Sequence, residues 1–228
     1  MSDDMLEILD ANIVVILDDP ITLSMSTLAS LEESELVQFI RKPLALHQVL
    51  GIDPSLGATA AAYQIESMRS QKTIHLNPIR IEVHDRSGEA DFKKAQIPET
   101  MMALINELNV GRIKAAGANW EIMFKAPGGG LASAVIAEKL LRRDGGLWPQ
   151  GIKPVGGGVR LFLSDESGEN YTLSIEPRGL NVETDKLWMT CNTNVTEPED
   201  LSGDLLRDMF ERCYSLIFSV KESLFSQA

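Results

Sequence analysis

The chain has 228 residues and a mass of 25.1 kDa, with 44% hydrophobic, 24% charged and 6% aromatic side chains. These are ordinary globular values, and they exclude collagen-like, mucin-like and wholly disordered classes. A chain of this length buries about 70% of the surface its unfolded form exposes, so it needs neither disulfide nor metal to hold a core.

Lys plus Arg number 21 and Asp plus Glu 33, a net charge of -12. Residues 1–50 carry nine acidic and two basic side chains (-7), and the rest carry 24 and 19 (-5). A strongly acidic molecule is repelled by phosphate backbones and anionic lipid. Basic residues cluster only as pairs, Arg41-Lys42, Lys93-Lys94 and Arg142-Arg143. Neither nucleic acid nor a membrane is an expected partner. Two cysteines, Cys191 and Cys213, are too few for a disulfide scaffold and read as buried free thiols. The acidic start Met1-Ser2-Asp3-Asp4 has no basic region or apolar stretch of a leader. The longest clean apolar run, Ile13 to Leu17, falls far short of the roughly 20 residues of a membrane helix. A cytoplasmic location is expected.

The β-branched run Ile13 to Leu17 predicts a buried strand closed by Asp18-Asp19-Pro20. Ser30 and Glu33 fit a capping box, in which hydroxyl and carboxylate satisfy the free amides of a helix start. Leu36, Val37 and Ile40 follow on one helical face. Pro43 ends that helix or begins another, through Leu46, Val49 and Leu50 to Gly51. Residues 51–62 are small and read as a connector. Tyr63 to Arg69 and Lys72 to Arg86 predict two strands with a turn at Ser70-Gln71. In the second, Ile74 and Leu76 face one way while Ile79, Ile81 and Val83 flip parity across Asn77-Pro78. A bulge there restores one apolar face, and the proline suggests a sheet edge. Arg80, Glu82, His84 and Arg86 then form the wet face.

Pro98 to Leu108 predicts a helix with Met101, Leu104, Ile105 and Leu108 inward. Arg112 to Lys125 is a strand containing Trp120, Ile122 and Phe124. Gly128-Gly129-Gly130 breaks the chain. Leu131 to Arg143 is a helix ended by Gly145-Gly146, and Leu147 to Gly158 is a Pro/Gly-rich loop. Val159 to Leu163 and Tyr171 to Ile175 flank Asp165-Glu166-Ser167-Gly168 as a hairpin, and Leu187 to Val195 is a third strand. Thr196 and Glu199 form a second capping box, opening a helix that runs to about Phe225. Its stripe is Leu205, Met209, Cys213, Leu216, Val220 and Leu224, widened by Phe210 and Ile217. The order predicts an α+β fold with a largely antiparallel sheet and helices packed on one face. It is read as one domain over 1–228, with 1–110 and 111–228 as candidate lobes. Ile97-Pro98-Glu99 and Glu197-Pro198-Glu199 each follow strands and precede a helix, an echo suggesting two related strand–helix halves.

In the strand and helix of 81–108, the strand rising to Trp120, and the closing hairpin, strand and long helix, the chain resembles a sporadically distributed family of uncharacterised bacterial proteins of similar length. The likeness covers about residues 70–225 and rests on element order and apolar spacing. It implies no activity and carries over no residue.

Asp18, with Pro20 and Thr22 after it, resembles the opening of aspartyl-phosphate phosphohydrolases, where an acid two residues on donates the proton. Proline stands in that place here and can do no acid chemistry. Gly128, Gly130 and Ser133 approximate a dinucleotide fingerprint, strand to glycine turn to helix, whose amides would meet a phosphate. Ser133 replaces the third glycine, and no acidic strand end follows. His47, His75 and His84 are isolated, without metal-ligand spacing. The acidic loop Asp165 to Glu169 lacks the spacing of a calcium loop. Trp148, in a loop, is either an anchor for a ligand or partner or a lid on the core.

No complete catalytic set emerges. The expectation is a non-enzymatic binding or assembly protein, a homo-oligomer with room for a protein partner, and with no cofactor or metal. The alternative is a small-molecule or nucleotide-handling enzyme with an anion site at Gly128, Gly129 and Gly130, joined by Ser133 and Trp148.

Overall fold

A computed structural model describes residues 6–24, 26–27, 31, 45–53, 58–67, 71–89, 91, 94, 96–141, 157–166, 168–178 and 183–226, with backbone only at 45–53, 58–62 and 67. The fold is α+β, with antiparallel strands and a long C-terminal helix. The strands are β1 (Glu7–Leu17), β2 (Ala45–Asp53), β3 (Ala58–Ser67), β4 (Lys72–Asn77), β5 (Arg80–Asp85), β6 (Ile113–Lys125), β7 (Val159–Ser164), β8 (Asn170–Pro177) and β9 (Lys186–Thr196). The helices are α1 (Ile97–Glu107), α2 (Ala132–Val135, continued as a π turn Ile136–Leu140) and α3 (Gly203–Ser226). Contacts divide the chain into two units, one of residues 10–119 and 194–211, the other of 1–9, 120–193 and 212–228. No helix among the described residues is long and apolar enough to cross a membrane.

In the first unit the strand order is β2-β3-β4-β5-β1-β6. Side chains alternate across a strand, so register decides which apolar residues meet. Two rows run across four strands: Ile65, Ile74, Val83 and Ile13, then Tyr63, Leu76, Ile81 and Val15. All eight are buried, and α1 packs on β5 with Ile97, Met101 and Leu104 enclosed. Each such aliphatic contributes about 1.5–3 kcal/mol by leaving water. In the second unit the order is β6-β9-β8-β7. Leu161, Leu173 and Cys191 align across β7, β8 and β9, as do Val159, Ile175 and Met189. The part of α3 from Arg212 onward packs within this unit: Tyr214 meets Trp120 edge-on at 5.0 Å, Phe225 lies 5.8 Å from Phe124, and the Cys213 thiol donates to the Cys191 carbonyl at 3.0 Å.

Several expectations are corrected. Residues 45–53 are strand β2, not a helix, and 58–62 are the start of β3, not a connector. Three apolar matches in a short window do not distinguish the two periods, and ladder pairing of Ala45–Asp53 with Ala58–Glu66 decides. Lys72 to Arg86 is a two-residue hairpin rather than one bulged edge strand. Asn77 pairs with Arg80, and the Asn77 side-chain oxygen accepts the Ile79 amide at 3.0 Å. The parity flip is thus the turn itself, which puts Leu76 opposite Ile81. The last helix begins at Gly203, not after Thr196. Strand β9 continues through Thr196, the Glu197 amide donates to the Lys114 carbonyl at 2.7 Å, and the Ser202 hydroxyl caps the Leu205 amide at 3.1 Å. The buried stripe of α3 is Leu206, Met209, Phe210, Cys213, Ile217 and Leu224, one position round from Leu205 and Leu216. The capping box at Ser30 and most of the loop Leu147 to Gly158 lie outside the described residues.

Candidate functional site

Strand β6 ends at Lys125 and delivers the chain into the glycine turn. Gly128 and Gly129 have φ of +70° and +68°, a left-handed conformation that favours glycine, and both are exposed. Three amides near them are committed to the chain's own carbonyls: Gly129 to Ala126 at 3.3 Å, Ala132 to Thr184 at 2.9 Å and Ala134 to Leu131 at 3.0 Å. Ser133 is 3% exposed, so the solvent-facing turn Gly128 to Gly130 does not present its hydroxyl. Trp148 lies outside the described residues. Asp18 closes β1 on the surface, its carboxylate 3.4 Å from the Arg112 guanidinium. The acidic tip of the β7–β8 hairpin is tied inward. The Asp165 carboxylate accepts the Tyr171 hydroxyl at 3.0 Å, and Glu169 accepts Arg212 at 3.0 Å and the Thr193 hydroxyl at 2.9 Å. No group of three His, Cys, Asp or Glu among the described residues is arranged to hold a metal ion.

Among the described residues, ionisable groups converge on the face of β5 expected to be wet, where β1 and β4 flank it. His84 is buried there. Its Nδ1–H donates to Asp10 at 2.9 Å and its Nε2–H to Glu82 at 2.9 Å. Arg80 pairs with Glu82, and Arg86 stands 3.7 Å from Asp10. Asn119 donates to Asn12 at 2.7 Å, which donates to Asp10 at 3.0 Å. Burial opposes the imidazolium, but the hydrogen bonds to Asp10 and Glu82 outweigh it and raise the His84 pKa to about 9. His75, directly opposite Glu82 and with its ring 5.2 Å from His84, has its pKa lowered by burial and by that cation. Both nitrogens of His84 are thus occupied by carboxylates, and the ring holds its positive charge between them. The sequence separates Asp10 and His84 by 74 residues, and only the β1–β5 register brings them together.

The second feature missed in the sequence is the edge strand β7. Among the described residues it pairs with β8 alone. The Asp165 amide donates to the Glu169 carbonyl at 3.1 Å, which makes that a hydrogen-bonded pair. Antiparallel pairs alternate, so Leu163, Leu161 and Val159 turn their amides and carbonyls toward β8, and Ser164, Phe162 and Arg160 turn theirs outward. Phe162 is 81% exposed, far more than any other large hydrophobic among the described residues, and Val159, Leu161 and Leu163 on the other face are only half-buried. The signal was present in Leu161-Phe162-Leu163, an apolar run with oily side chains on both faces of one strand.

The chain matches no protein-family model and no curated protein.

Proposed function

We propose that this is a cytoplasmic, non-enzymatic binding or assembly protein that associates with itself. The observation behind this reading is β7, outermost among the described strands, whose six residues, Val-Arg-Leu-Phe-Leu-Ser, carry a single charge, Arg160, and include neither proline nor lysine. Edge strands are ordinarily guarded against pairing by such residues, because their outward amides and carbonyls are a template for another strand. An aromatic ring standing in water beside that template favours a partner over a guard. The charge of -12 argues against nucleic acid or anionic lipid as that partner. The anion-site alternative has less behind it, since the Gly129, Ala132 and Ala134 amides are spent internally. Light scattering coupled to size exclusion, run from low to high micromolar concentration, tests the reading. A mass of at least two chains is expected for the native sequence and one chain for Phe162→Asp. A single chain at every concentration would remove the proposal.

A further inference from the structure

Resting on that reading, we infer that the partner of β7 is the β7 strand of a second copy, paired antiparallel across a two-fold axis at Phe162. The outward backbone groups belong to Arg160, Phe162 and Ser164, an evenly spaced set with Phe162 at its centre. A two-fold through Phe162 sets each Arg160 opposite Ser164 of the other copy, and the two Phe162 residues opposite each other. All three positions then exchange amides and carbonyls, a ladder of about six backbone hydrogen bonds.

The side chains agree with this register on both faces. On the outer face the two Phe162 rings become a directly opposed aromatic pair, covering what is now the most exposed apolar side chain described. On the inner face each Leu161 meets Leu163 of the second copy, extending the apolar rows in which both are only half-buried. Charge agrees as well. Arg160 stands near one end of β7 and the exposed Glu166 lies just past the other, so antiparallel pairing brings each basic end to an acidic one. Parallel pairing would stack like on like. An isologous contact of this kind closes at two copies, because each β7 has one outward side.

Cysteine cross-linking tests the register, with light scattering as the companion measurement. The native cysteines are buried, and the native protein is the control for background. Facing Phe162→Cys residues would have Cα atoms about 5.5 Å apart, within disulfide reach. In Ser164→Cys the two cysteines would be offset by four positions, about 14 Å along the strand, and out of reach. Under mild oxidation Phe162→Cys should double in mass on a non-reducing gel and Ser164→Cys should not. A mixture of Arg160→Cys with Ser164→Cys, which keeps Phe162, should yield the heterodimer and serves if the Phe162 change weakens pairing. Self-linking of Ser164→Cys, or no heterodimer from the mixture, in a protein that still scatters as two chains, overturns this pairing while self-association stands. A single-chain mass for the native protein overturns both.

Discussion

The His84 network makes stability fall with alkalinity. His84 has a pKa of about 9 in the folded chain, against about 6.5 for an unfolded histidine. Folding therefore holds its proton more tightly, and the stabilisation is fully present below the unfolded value and lost as pH rises through the folded one. A difference of about 2.5 units at 1.36 kcal/mol each gives about 3 kcal/mol at pH 6, roughly half of that near pH 7.7, and almost nothing at pH 10. Asp10 and Glu82 touch the ring, His75 lies 5.2 Å from it, and Arg80 and Arg86 stand on the two carboxylates; those carboxylates set the sign. Urea denaturation of the native protein and of His84→Gln at each pH reads the contribution of the network, because titrations at distant, independent sites cancel in the difference. The native advantage should shrink by about 3 kcal/mol between pH 6 and 10. Asp10→Asn should move the His84 titration, followed by the ring proton resonance, back toward its ordinary value. An advantage that is flat, or that grows with pH, would refute the ion-paired imidazolium.

Phe210 is fully buried on α3, so Phe210→Ala should cost about 3–5 kcal/mol in the same denaturation assay. Ser202→Ala removes the cap of α3 and should cost about 1 kcal/mol, while Thr196→Ala should show no cap loss; the reverse ranking would return the helix start to Thr196. Burial raises the Cys213 thiol well above its usual range, and Cys191 is enclosed with it. A thiol reagent at pH 8 should label neither cysteine in the native protein and both in denaturant, and rapid native labelling would contradict that enclosure.

Where periodicity was long and unambiguous, the sequence was enough. The Pro98–Leu108 pattern became α1, Arg112–Lys125 became β6, and the Val159 hairpin fell within a residue or two of β7 and β8. Where the pattern was short, tertiary pairing overrode it: Leu46, Val49 and Leu50 fit a helical face, yet their backbone is laddered to β3. Of the candidate sites, the glycine turn was legible because glycine is a local signal. The His84 network was not. A histidine alternating with Glu82 and Arg80 looks solvated until β1 brings Asp10 and Asn12 against it, and long-range register leaves no trace in local spacing.

The glycine turn has a practical value apart from any ligand. Its two flanks are anchored independently, Ala126 to the Asp185 carbonyl at 2.7 Å and Ala132 to Thr184 at 2.9 Å, while a Cβ added at Gly128 or Gly129 would meet nothing within 4 Å. Lengthening a surface loop costs only about 0.6 kcal/mol per doubling. An epitope or fluorophore-bearing peptide spliced between Gly129 and Gly130 would therefore hang outward from a fixed base, giving the molecule a handle for tracking it in cells.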